Sequence, residues 1–222
     1  MASMSWSQVI PGPRGRHLRA VIVRALHEVY DENSRRFAPD DLGDNNITFG
    51  VNVSQNLRFA IDRDTADLEG MAIARPRNSF VLRLEPRFTV HFYKAPPGAT
   101  DIRMLRFDES EMKLELRHEN AAQLSFEFDD AVSSSATIPS HIVIVHFGGP
   151  ETSFQRAEVG SPYSTATGGC QWAWHERFDV EEVDTDPGDG LTTTPPQPNP
   201  QGGAGGLGLR LRDAVDDETG QP

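Results

Sequence analysis

Apolar and polar residues alternate through Phe80-Val81-Leu82-Arg83-Leu84 and again through Phe88-Thr89-Val90-His91-Phe92-Tyr93-Lys94, with Glu85-Pro86-Arg87 between the two runs. Successive side chains of a strand point to opposite faces, so this spacing predicts a β-hairpin with Phe80, Leu82 and Leu84 beside Phe88, Val90 and Phe92 on one face. Upstream the period changes. Leu18, Val21, Ile22, Ala25, Leu26, Val29 and Tyr30 recur at intervals of three and four, opposite Arg16, Arg19, Arg24, Glu28, Asp31 and Glu32. That pattern predicts an amphipathic helix of about twenty residues, ended before Pro39 and packed by its apolar stripe on the sheet.

Residues 47–61 fit both periods. Ile47, Phe49, Val51, Val53, Leu57, Phe59 and Ile61 alternate as in a strand, yet Phe49, Val53, Leu57 and Ile61 also fall at i+4 steps, with Thr48 available as a cap. The balance favours a second helix. After the hairpin, the runs 102–107, 112–116, 124–128, 141–147, 156–159 and 171–178 all read as strands. His141-Ile142-Val143-Ile144-Val145-His146-Phe147 is apolar on both faces, as a central strand would be, and Gly148-Gly149-Pro150 stops it. Helices first and strands later argue for an α+β fold. The expected architecture is one or two N-terminal helices packed on a mainly antiparallel sheet of about seven to eight strands.

Residues 1–13 read as a flexible leader closed by Pro11-Gly12-Pro13, residues 14–182 as a single α+β domain, and residues 183–222 as a tail. That tail holds fourteen Gly or Pro and eight apolar side chains, too little burial to offset the entropy of ordering it, so it is expected to be disordered. Within it Leu207, Leu209 and Leu211, interleaved with Arg210 and Arg212, form a small island suited to a linear docking motif.

The formal net charge of −12 is unevenly spread: +3 over residues 1–36, −1 over 37–100, −7 over 101–180 and −7 over 181–222. The acidic half should repel phosphate backbones, which leaves nucleic acid the basic N-terminal helix alone. Nineteen arginines stand against two lysines, Lys94 and Lys113. Cys170 is the sole cysteine, so no intramolecular disulfide can form, and a reducing, cytoplasmic location is expected. No apolar stretch is long enough for a signal core or a membrane span, so no membrane route is expected.

Seven histidines raise the question of metal, but none has a ligand spacing such as His-Glu-x-x-His. His141 and His146, five apart on one strand, should face opposite ways. His91 and His175 alternate with aromatic residues and read as solvent-facing or satisfied core groups. Glu111-Met112-Lys113, with Asp101 or Asp108 upstream, matches the short acid-x-lysine triplet of metal-dependent nucleases, provided that it lies on a strand. No Gly-x-Ser-x-Gly elbow is present, and Gly148-Gly149 lacks the helix of a phosphate cradle. Cys170 reads as a small buried residue at a strand start. No cofactor and no protein metal site is expected, and these patterns single out no catalytic residue. Trp172, Trp174 and Phe178 are the side chains best suited to recognition if exposed, the two tryptophans sharing a strand face.

Ser79-Phe80-Val81-Leu82-Arg83-Leu84, His91-Phe92-Tyr93-Lys94-Ala95-Pro96, the 141–150 run, Val159-Gly160-Ser161-Pro162 and Trp172-Ala173-Trp174 together resemble a group of uncharacterised bacterial proteins. Members of that group are often encoded beside a helix-turn-helix regulator fused to or paired with a zinc-peptidase-like protein. The resemblance spans residues 14–180 and its motifs are structural, so it carries over no site residue. It implies a two-component regulatory, toxin–antitoxin-like or mobile-element setting. The expected function is a non-enzymatic cytoplasmic protein-interaction or regulatory module with a protein partner, its surface drawn from Trp172, Trp174, Phe178, Leu207, Leu209 and Leu211. The alternatives are a metal-dependent hydrolase or nuclease using strand-borne acids and histidines, and a small-ligand binder with a pocket between the N-terminal helices and the sheet.

Overall fold

The computed structural model describes residues 4–75, 80–85, 87–108, 110–125 and 139–179. The chain divides into two units, Met1–Val183 and Asp184–Pro222, and the described residues belong to the first. The expected tail and its Leu207, Leu209 and Leu211 island lie outside the described residues. In chain order the elements are α1 (Trp6–Val9), α2 (Gly12–Arg36), α3 (Pro39–Leu42), α4 (Asn46–Thr65), β1 (Met71–Ala74), β2 (Val81–Leu84), β3 (Phe88–Lys94), α5 (Glu111–Ser125), β4 (His141–Gly149), β5 (Ser153–Ser164) and β6 (Cys170–Arg177).

The hairpin forms as its alternation requires: β2 and β3 pair antiparallel, Leu82 opposite Val90 and Leu84 opposite Phe88. Phe80 stacks on Phe92 with ring centroids 4.9 Å apart. The sheet has six strands in the order β1-β2-β3-β4-β5-β6, so every strand lies beside its neighbour in sequence. Four of the five pairings are antiparallel, but β3 and β4 run parallel, from Thr89 opposite His141 to Lys94 opposite His146.

The sheet is thus mainly antiparallel, as expected, but it has six strands where seven to eight are expected, and the β3–β4 pair makes it mixed. The run 112–116 and Leu124 belong to helix α5, and 102–107 is a 3-10 turn at Ile102–Met104 followed by loop. Residues 126–128 lie outside the described residues. Strand β1, a short edge strand of Met, Ala, Ile and Ala, carries too little alternation to be seen in advance. A parallel pair cannot be joined by a tight turn, and α5 is the crossover that β3 and β4 need.

Helix α5 was hidden because its inward stripe is partly polar. Leu116, Arg117 and Asn120 are its buried positions, at helical spacing, so counting apolar residues alone registers Met112, Leu114 and Leu116 as alternation. Its composition of Glu, Met, Lys, Leu, Arg, Ala and Gln is that of a strong helix former.

The sheet is covered on both sides. Leu82, Leu84, Val90, Ile142, Ile144, Ala157 and Val159 face α2 and α4 across the larger core. Val143, Val145 and Phe147, on the other face of β4, join Leu116 of α5 with Ala95, Ile102 and Phe107. β4 is buried on both faces, as its unbroken apolar run requires.

The first long helix is longer than expected, 25 residues, and the second settles the ambiguity of residues 47–61. The cap of α4 is Asn45, whose Oδ1 accepts from the Ile47 and Thr48 amides at 2.8 and 3.1 Å, while the Asn45 amide donates to Thr48 Oγ1 at 2.9 Å. The segment expected as a leader, residues 1–13, is built into the core from Trp6 onward. Trp6 is buried, donates its Nε1 to Gly15 O at 2.9 Å, and meets Phe178 edge-on at 5.0 Å. A Cβ at Gly15 would lie 1.8 Å from Ile10 O, so a residue without a side chain is required where α1 turns onto α2.

Candidate functional site

The polar chemistry of this fold gathers on the parallel strand pair, with one group on each face. Because side chains alternate, Thr89, His91 and His141 look towards α5, whereas Lys94 and His146 look towards α2 and α4. The expected opposition of His141 and His146 is what the structure shows.

On the α5 face three side chains form a chain. The Glu119 carboxylate meets His141 Nε2, and His141 Nδ1 lies 3.1 Å from His91 Nε2. Asn120, one residue along α5, holds the same strand end: its Oδ1 accepts from the His141 amide at 3.1 Å, and its Nδ2 donates to His141 O at 3.0 Å and Pro162 O at 2.9 Å. Side-chain exposure falls from 50% at Glu119 to 19% at His141, and His91 as a whole is 5% exposed. Burial, then the neighbouring His141, pushes the His91 pKa down to about 3, so its ring is neutral at ordinary pH. His91 Nδ1 is buried with no hydrogen-bond partner among the described residues. Beside the chain runs a cleft of about 380 Å³, lined among others by Arg83, Thr89, Met112, Glu115 and Leu116.

This order is the reverse of a nucleophile, base and orienting acid, in which the acid is buried and the nucleophile faces substrate. Here the carboxylate is outermost and the innermost imidazole ends on no nucleophile. Glu119 and His91 also occupy opposite ring nitrogens of His141, so the three cannot converge on one ion. Among the described residues no group of three or more His, Cys, Asp or Glu could hold a metal.

The other face carries a second buried pair. Tyr30 of α2 and His146 of β4 meet through the phenol oxygen and Nδ1 at 2.8 Å. Burial raises the Tyr30 pKa above its ordinary value and, with Lys94 nearby, holds His146 down to about 3, so both groups are neutral. The ring of Tyr30 lies against the end of β4, where a Cβ on Gly148 would come within 2.6 Å of Tyr30 Cε1 and 2.2 Å of Ser153 O. Lys94, two residues along the strand from Phe92, is half-buried, its Nζ 5.9 Å from the centroid of the Phe49 ring, and burial lowers its pKa.

The remaining sequence candidates fall elsewhere. Trp174 and Phe178 are buried in the core beneath α1 and α2, and Trp172 packs on the opposite cluster around Phe107. A register shift between Ser161 and Pro162 separates the two tryptophans, Trp174 lying opposite Ser161 and Trp172 opposite Pro162. They therefore share no face, and the expected aromatic recognition surface does not form. Glu111-Met112-Lys113 opens α5 instead of lying on a strand, which removes the geometry the nuclease triplet requires, and Asp101 is bound to Arg103 in its own turn. Cys170 is half-buried, and burial pushes its thiol above the ordinary value, away from thiolate reactivity. Several arginines of the basic N-terminal helix are engaged within the molecule: Arg19 pairs with Glu176 at 3.1 Å, Arg24 with Asp64 at 3.3 Å, and Arg35 with Glu32 at 2.6 Å.

The exposed large apolar side chains lie elsewhere. Ile47 is 77%, Phe59 69%, Val51 49% and Leu42 76% exposed. Ile47, Val51 and Phe59 stand on the side of α4 turned away from its buried Phe49, Val53, Leu57 and Ile61. No helix among the described residues is long and apolar enough to cross a membrane. No protein-family model matches the chain, and no curated protein or solved structure matches it either.

Proposed function

We propose that the protein is a non-enzymatic protein-interaction module, of the regulatory kind suggested by its strand motifs, and that its docking surface is the outward face of α4 with a second copy of the chain as its occupant. The observation that carries this reading is that three of the five exposed large apolar side chains among the described residues, Ile47, Val51 and Phe59, stand along one helix. From Asn46 to Leu57 the helix carries no charged residue. In a chain of net charge −12, such a stretch is where two copies can meet without opposing like charges.

The pattern is self-complementary. A two-fold axis near Val53 runs the two helices antiparallel, bringing Ile47 of one copy to Phe59 of the other and Val51 to Gln55. Sedimentation equilibrium of the full chain tests it. The expected result is a monomer–dimer equilibrium that Ile47→Glu or Phe59→Glu shifts to monomer while the circular dichroism spectrum is kept. A single species of monomer mass across the concentration series, or a dimer untouched by both substitutions, overturns the reading.

A further inference from the structure

At the carboxyl ends of β3 and β4 lies a pocket of about 220 Å³, bordered by Lys94 and Ala95-Pro96-Pro97 from the end of β3, by Phe147-Gly148-Gly149 from the end of β4, and by Asn46, Thr152 and Gln155. β3 and β4 are the sheet's parallel pair, and the carboxyl ends of parallel strands are where open sheets with crossover helices take their ligands. Lys94 gives the pocket one positive charge. No carboxylate lines it, and Lys94 makes no ion pair with a described residue. Burial already disfavours its charged form, so a bound anion would relieve that cost. The side chains of Asn46, Thr152 and Gln155 make no hydrogen bond with a described residue and are available to a ligand.

The chemistry of the lining narrows the anion. A phosphate is held by several cations or by the free amides of a helix start. Here there is one lysine, and the Ile47 and Thr48 amides at the start of α4 are already taken by Asn45 Oδ1. A single charge flanked by neutral donors, with Ala95, Pro96 and Pro97 as an apolar wall, matches a monoanion with a short carbon body. We infer that this pocket binds a small organic carboxylate, its carboxylate on the Lys94 ammonium and its carbon body against Pro96 and Pro97. The site is separate from the outward face of α4 and does not depend on it.

Isothermal titration of the full chain with propionate, with inorganic phosphate and chloride as comparison arms at matched ionic strength, tests the inference. Propionate is expected to bind saturably, phosphate and chloride more weakly, and Lys94→Met, which keeps the buried stem but removes the charge, to weaken propionate by at least about tenfold. Thr152→Val, at an exposed position whose substitution leaves the core intact, is expected to weaken propionate several-fold, and supplies the test should Lys94→Met not fold. Absence of saturable propionate binding, equal propionate affinity in wild type and both variants, or tighter binding of phosphate than of propionate overturns it.

Discussion

Acid should unfold this protein through two imidazoles it holds uncharged. His91 and His146 are 5% and 2% exposed, and burial keeps both pKa values at about 3 against an ordinary 6.5. His141 beside the first ring and Lys94 beside the second act in the same direction. The folded pKa lies below the unfolded one, so between these values the unfolded chain binds a proton on each imidazole that the folded protein does not. Stability therefore falls as pH drops below about 6.5, and goes on falling until about 3. Each imidazole contributes a slope approaching about 1.4 kcal/mol per pH unit, which at about pH 5 amounts to about 2 kcal/mol each and about 4 for the pair. A domain has about 5–15 kcal/mol in total, so the loss is a large share of it.

Urea titrations at fixed protein concentration, repeated from about pH 7.5 down to about pH 5, read this slope directly. Asp64 and Asp101, held low by their arginine neighbours, titrate below that window and do not enter it. The paired variant Tyr30→Phe with His146→Leu removes one imidazole together with the hydroxyl that serves it, leaving no orphaned polar atom, and should halve the slope. An unfolding free energy that stays flat across the range refutes the reasoning, as does a slope that the paired variant leaves intact.

Asn120→Ala removes three hydrogen bonds that tie α5 to the start of β4 and to Pro162 O. It should destabilise by about 2–4 kcal/mol in the same urea titration, whereas a loss below about 0.5 kcal/mol would show that the staple is dispensable. Gly148→Ala forces a methyl group into the space of the Tyr30 ring and Ser153 O, and should lower the melting temperature by several degrees, about 1–3 kcal/mol. A melting temperature equal to wild type would mean that the end of β4 gives way freely.

The hairpin, the long N-terminal helix and the doubly buried β4 could all be read from residue order, because the first two each keep one clean period and β4 is an unbroken apolar run. α4 was legible only as a balance between two periods, since Ile47, Val51 and Phe59 add apolar residues on the side that faces away from the core. α5 was misread because Arg117 and Asn120 hold inward positions for which apolarity is the usual sign, and they do so by donating to backbone carbonyls of distant segments.

That misreading also concealed the site on the α5 face. His91 and His141 were visible as histidines on strands, but Glu119 reaches His141 only once residues 111–125 form the helix that crosses between two parallel strands. Lys94 was visible as one of two lysines, with nothing in its neighbours to mark it as a cation that meets no acid among the described residues. The tryptophans show the converse: strict alternation put Trp172 and Trp174 on one face, and a register shift beside Pro162 divided them between two cores.

Residue order by itself determined the class of this fold, the inward faces of the hairpin and of the long N-terminal helix, and the division of charge along the chain, because these follow from local periodicity and counting. The tertiary structure alone decided the parallel join of β3 to β4, the helical identity of the crossover, the neutral buried imidazoles and the half-buried lysine at the strand ends, which has no ion pair among the described residues. Each of these depends on which distant groups share a low-dielectric space, and no local period records that.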